Sequence, residues 1–91
     1  MKTIDIEQFK ILIKGCAYAK VRHEHADHKV AVLPYDKDDY PTGILFLDFN
    51  GYGIVFVEED NKEVTFDGKY WLLKSKYDGL VKVILYKPVI I

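Results

Sequence analysis

Gly43-Ile44-Leu45-Phe46-Leu47-Asp48-Phe49-Asn50-Gly51-Tyr52-Gly53-Ile54-Val55-Phe56-Val57-Glu58 decides the fold. Asn50-Gly51 is the dipeptide that best fills a two-residue type I′ turn, because both central positions need positive φ. Apolar runs flank it on each side, so the stretch predicts an antiparallel hairpin. A two-residue turn sets Phe49 opposite Tyr52, Leu47 opposite Ile54 and Leu45 opposite Phe56. On the other face it sets Phe46 against Val55 and Ile44 against Val57. Both faces are then apolar, with Asp48 the exception. A hairpin wet on one side would alternate apolar with polar residues. Each face therefore needs a cover: a helix for one, and a second sheet, a barrel wall or another chain for the other.

The helix lies at the start of the chain. Asp5 can cap it and Gln8 stands in capping-box position. Ile6, Phe9, Ile13 and Cys16 recur at helical spacing with Leu12 beside them, an apolar stripe about 10 residues long. Lys14 and Gly15 suit its C-terminus, with the cation on the carbonyl end and glycine at C′. Residues 17–22 read as a strand or as a continuation of the helix. Residues 29–33 read as a strand stopped by Pro34, and Tyr35 to Pro41 as an acidic loop. Beyond Glu58, turns at 58–63, Asp67-Gly68 and Tyr77-Asp78-Gly79 separate further strands, the last at 80–86. The fold class is α+β: an N-terminal helix packed on an antiparallel β-meander of about five or six strands, able to curl into a small barrel.

Length and composition bound the rest. Ninety-one residues make a single domain, 1–91. A hydrophobic fraction of 49% is enough for a core, which argues against disorder. Net charge is −1, from 13 basic and 14 acidic residues. That balance predicts no nucleic-acid partner, and Arg22 as the one arginine predicts no base readout. Cys16 is alone, which excludes an intrachain disulfide and suits a reducing compartment. The acidic N-terminal stretch lacks a signal peptide's apolar run, and no segment has membrane-span length, so the expected location is cytoplasmic. The apolar hairpin and the tail Val89-Ile90-Ile91 exceed what one helix covers and predict a homodimer.

All three histidines fall in His23-Glu24-His25-Ala26-Asp27-His28. In an extended chain His23, His25 and Asp27 share one face, about 7 Å apart in succession. The spelling His-x-His-x-Asp-His resembles the dinuclear zinc motif of the metallo-β-lactamase family. The resemblance implies that His23 and His25 bind one zinc, that Asp27 and His28 serve a second, and that a metal-bound hydroxide hydrolyses substrate. It covers six residues. The downstream histidines and bridging aspartate of that family have no counterpart here, and no histidine follows His28. A single zinc held by His23, His25, Asp27 and His28 is the smaller version of the same reading.

The acids offer another site. Asp36, Asp38 and Asp39 form one group, flanked by Tyr35 and Tyr40; Glu58, Glu59 and Asp60 form another. If topology brings both groups to one end, they make a negative docking surface for a basic partner. No nucleophile has a base positioned for it, and no glycine-rich loop precedes a helix. The expected function is therefore a small non-enzymatic binding module acting on a protein partner, of inhibitor or immunity type, without a cofactor. A small-ligand or zinc-binding protein using residues 23–28 is the alternative, and a metal-dependent hydrolase the third.

Overall fold

The computed structural model describes residues 1–23, 26–37 and 40–87, with His23, residues 34–37 and residues 40–42 described by backbone alone. The order is β1 (Lys2–Asp5), α1 (Ile6–Lys14), β2 (Tyr18–His23), β3 (Ala26–Lys37), β4 (Tyr40–Leu47) and β5 (Gly53–Val57). A 3-10 turn (Glu58–Asp60), β6 (Glu63–Phe66), β7 (Trp71–Ser75) and β8 (Gly79–Tyr86) complete it. The strands form one eight-stranded antiparallel sheet in the order β1-β6-β7-β8-β2-β3-β4-β5. One short helix on an antiparallel sheet is the α+β class read from the sequence; the strand count is eight and the sheet does not close into a barrel.

The sheet nevertheless curls. In strand order β5 lies five positions from β7, which a flat sheet would set about 24 Å apart. Yet the Lys76 N–H donates to the Val55 carbonyl at 2.8 Å. The β5 end has swung round to meet the end of β7, while no ladder joins the two. Inside the curl lies one core, and α1 contributes Phe9 (0% exposed) and Ile13 (8%) to it. Phe9 meets the Trp71 ring edge-on at 5.5 Å, and Phe46 meets Phe56 likewise at 5.0 Å. Burying a phenylalanine of this kind contributes about 2–3 kcal/mol.

The helix starts where its cap predicts. The Gln8 N–H donates to the Asp5 carboxylate at 2.8 Å, and the Gln8 side chain accepts from the Asp5 N–H at 3.2 Å. Gly15 ends it with φ −86°, outside the left-handed region, so the stop does not use glycine's special freedom.

The central hairpin differs from the prediction by one residue. The Asp48 N–H donates to the Tyr52 carbonyl at 3.0 Å, and the Gly51 N–H to the Asp48 carbonyl at 3.3 Å. The loop is thus Phe49–Gly51, three residues long, with Gly51 at φ 83° supplying the left-handed step. The Asp48 carboxylate accepts from the N–H groups of Asn50 (2.9 Å) and Tyr52 (2.8 Å), which favours this wider turn. Ile44 therefore pairs with Phe56, Leu45 with Val55 and Phe46 with Ile54. Ile44, Phe46, Ile54 and Phe56 are buried on the core side, while Leu45, Leu47 and Val55 stay half-buried outside.

Two further differences have plain causes. Pro34 does not stop β3, which continues to Lys37; the predicted 35–41 loop is largely strand, with Lys37 paired to Tyr40. β2 pairs with β3 only as far as Val30, so beyond it β3 has one open edge, where a missing N–H costs nothing. β1 is four residues whose strand character comes from pairing with β6. Asn61, in a segment read as a turn, is buried (3% exposed) and ties the 3-10 turn to β7. Its amide donates to the carbonyls of Val57 (3.0 Å) and Lys74 (2.9 Å) and accepts from the Lys74 N–H (2.7 Å).

Candidate functional site

The histidine segment is divided between two paired strands rather than lying in one: β2 ends at His23 and β3 begins at Ala26. Arg22 pairs with Asp27 and His23 with Ala26 across the antiparallel ladder of the two strands. Asp27 lies on the outer face, where its carboxylate accepts from Arg22 Nη1 at 3.2 Å. His28 lies on the opposite, core-facing side, across from Val21. Asp27 and His28 thus do not converge. His25 falls outside the described residues, and of His23 only the backbone is described. Among the described residues no three His, Cys, Asp or Glu side chains gather as metal ligands.

His28 instead meets the tip of the central hairpin. Its Nδ1 is 3.8 Å from the largely buried Asp48 carboxylate, and its ring is 6.0 Å from that of Tyr52. The Tyr52 hydroxyl donates to Asp78 at 3.1 Å, tying this tip to the β7–β8 turn. Phe49 (91% exposed) and Tyr77 (77%) project from the two tips. The group holds turns together and lacks an available nucleophile. Ser75 Oγ accepts from the Asp78 N–H at 2.5 Å. Burial pushes the Cys16 thiol up, and it donates to the Leu12 carbonyl at 3.4 Å.

The acidic residues fall on strands and a turn. Tyr35 and Asp36 belong to β3 and Tyr40 to β4; Asp38 and Asp39 lie outside the described residues. Val57 pairs with Gly43, so the 3-10 turn leaves β5 at the end where β4 begins, the end of the β3–β4 hairpin tip. Glu58 is taken up by Lys10, whose ammonium also lies 3.7 Å from Glu7. That hydrogen bond to Glu58 raises the Lys10 pKa. Glu59 and Asp60 remain exposed.

The outer face of β3, β2, β8 and β7 was not singled out by the sequence reading. Strands alternate, so Tyr18, Lys20 and Arg22 of β2 point away from the buried Ala19 and Val21. Register then lines the outward residues up. Lys29 lies directly across from Lys20, and Arg22 directly across from Lys82. Tyr18 pairs with Tyr86, their rings stacked at 4.6 Å and 8°. The ammonium of Lys29 is 4.3 Å from the Tyr18 ring centre, and that of Lys20 is 5.6 Å from Tyr86. Lys82 and Lys69 flank the Tyr70 ring at 5.6 and 5.1 Å. Asp27, held by Arg22, is the one carboxylate in ion-pair contact with these cations among the described residues. Like charges directly opposed across strands are destabilising. The sequence signal was present as period-two alternation in Lys20-Val21-Arg22 and Val81-Lys82-Val83, but the pairing that concentrates the charge is not local.

No family model matches the chain, and the comparisons with curated proteins and with solved structures find no match. No helix among the described residues is long and apolar enough to cross a membrane.

Proposed function

We propose that the protein is a non-enzymatic binding module that holds a polyanionic partner on the outer face of β3, β2, β8 and β7. The observation that carries this is the direct opposition of Lys20 to Lys29 and of Arg22 to Lys82. Each like-charge pair costs some stability, offset in part by Asp27 on Arg22, by Asp67 near Lys82 and by the tyrosine rings beside Lys20, Lys29 and Lys82. A partner carrying several negative charges turns that cost into affinity. The net charge of −1, which argued against a polyanion, is a sum over the whole chain and does not describe this face, where Lys20, Arg22, Lys29 and Lys82 lie together.

Retention on immobilised heparin tests the proposal. The wild-type protein elutes only on raising salt, and the pair Lys20→Glu with Lys29→Glu elutes without it. Passage of the wild-type protein through the column at low salt would sink the reading. A second reading places a basic protein partner on the acidic end, as an inhibitor or immunity-type protein would. Its support is the Gly43–Val57 register, which brings the 3-10 turn to the β3–β4 end. Charge reversal at Glu59 and Asp60 then abolishes capture of that partner; unchanged capture would clear the turn of the role.

A further inference from the structure

Resting on that reading, we infer that the polyanion is a single-stranded nucleic acid, bound through its phosphates and by base stacking without sequence readout. The first argument is shape. The sheet curls around its core until Lys76 reaches Val55, so the outer face is convex. Duplex DNA is stiff over about 150 base pairs and touches a convex surface along a narrow line. A single strand bends to follow the surface and brings successive phosphates to Lys29, Lys20 and Lys82.

The second argument is the company the cations keep. Each lies beside a tyrosine: Lys29 at Tyr18, Lys20 at Tyr86, Lys82 and Lys69 at Tyr70. Cations beside rings are the means of sequence-tolerant single-strand binders, since every base has a π-face; Tyr18 and Tyr86 already stack on each other, so Tyr70 is the ring offered to a base. An acidic peptide uses the ammonium groups and leaves the rings unused. The third argument concerns specificity. Bidentate base recognition needs a free guanidinium, and Arg22 is already committed to Asp27 at 3.2 Å. Lysines act as point charges and do not distinguish bases.

Fluorescence anisotropy with a labelled oligothymidylate of about 12 nucleotides tests the inference. Binding weakens with salt, with a log–log slope of about −2 to −3 for three or four phosphates. A duplex of equal length and a polyglutamate peptide each compete at least about tenfold less well than unlabelled oligothymidylate. Tyr70→Leu lowers affinity for the oligonucleotide by about tenfold and leaves heparin retention unchanged. Lys20→Glu with Lys29→Glu abolishes both. Circular dichroism confirms that each variant is folded, and Tyr70→Phe, which keeps the ring, restores binding. Heparin retention without oligonucleotide binding overturns the single-strand assignment and leaves the polyanion reading standing; loss of both overturns both. Duplex bound as tightly as single strand, or oligonucleotide binding indifferent to the two lysines, also overturns it.

Discussion

Lys20→Glu should make the protein more stable while weakening its binding. Lys20 and Lys29 face each other directly across β2 and β3. Two ammonium groups about 7 Å apart in water repel by about 0.6 kcal/mol, which physiological salt screens to about 0.25 kcal/mol. Glutamate at position 20 reverses the sign, a swing of about 0.5 kcal/mol. Arg22, two residues along the same strand, is neutralised by Asp27, and Lys82, the diagonal neighbour on β8, adds about half as much. Against this, the contact of the Lys20 ammonium with Tyr86, at 5.6 Å, is lost. Such an exposed contact is worth about 0.5 kcal/mol. The net gain is about 0.25 kcal/mol, which raises the melting temperature of a domain this size by about 1–2 °C. Thermal unfolding followed by circular dichroism measures it. The gain should be largest at low salt and shrink by about 0.5 M salt, where the Debye length falls to a few ångströms. A melting temperature lowered by several degrees at low salt would refute the reasoning: the cations would then stabilise the sheet, and no partner would be needed to explain them.

Three other perturbations test the structure beneath the face. Asn61→Ala strands the Lys74 N–H and the Val57 and Lys74 carbonyls in a buried place. Denaturant unfolding should show a loss of about 2–4 kcal/mol, and a loss below about 1 kcal/mol would mean that water replaces the amide. Gly43→Ala puts a Cβ 2.0 Å from the Phe56 carbonyl oxygen, which is backbone and cannot step aside. β4 and β5 must part, at a cost of about 3 kcal/mol or more; a variant melting like the wild type would show that the strands are not so close. Asp67 has its pKa lowered by the backbone N–H of Tyr70 and then of Lys69. A depressed folded-state pKa means stabilisation present above the unfolded value and lost as pH falls through the folded one. Asp67→Ala should therefore lower the melting temperature at neutral pH and converge with the wild type in acid. A difference that persists at the lowest pH would contradict that origin.

What could be read along the chain was what local chemistry decides. The capping box of Asp5 and Gln8 works within one turn of helix, and the Asp67 and Gly79 turns work within four residues, so each was visible. Features set by pairing were not. The strand β1 exists because β6 lies beside it. β3 passes through Pro34 because β2 no longer pairs with it there, a fact held in the pairing and not in the residues around the proline. The central hairpin sits between the two kinds. Asn50-Gly51 announced a turn, but the carboxylate of Asp48, accepting two backbone N–H groups, widened it and moved every cross-strand partner by one.

The same distinction separates the two candidate sites. His23 to His28 is spelled consecutively, and as an extended run it lines its ligands up on one face. The antiparallel pairing of β2 with β3 breaks that geometry: Asp27 faces outward with Arg22 while His28 turns toward Asp48. The basic face is spelled in no order at all. Its cations come from β2, β3, β8 and the turn before β7, at positions 20, 22, 29, 69 and 82, and nothing in the linear string joins them. Net charge conceals them because it sums over every surface of the chain. A sum over the chain loses the quantity that matters for binding, the charge per area of one surface. Strand register restores it, because register converts residues 9 or 60 positions apart into direct neighbours, Lys20 to Lys29 and Arg22 to Lys82.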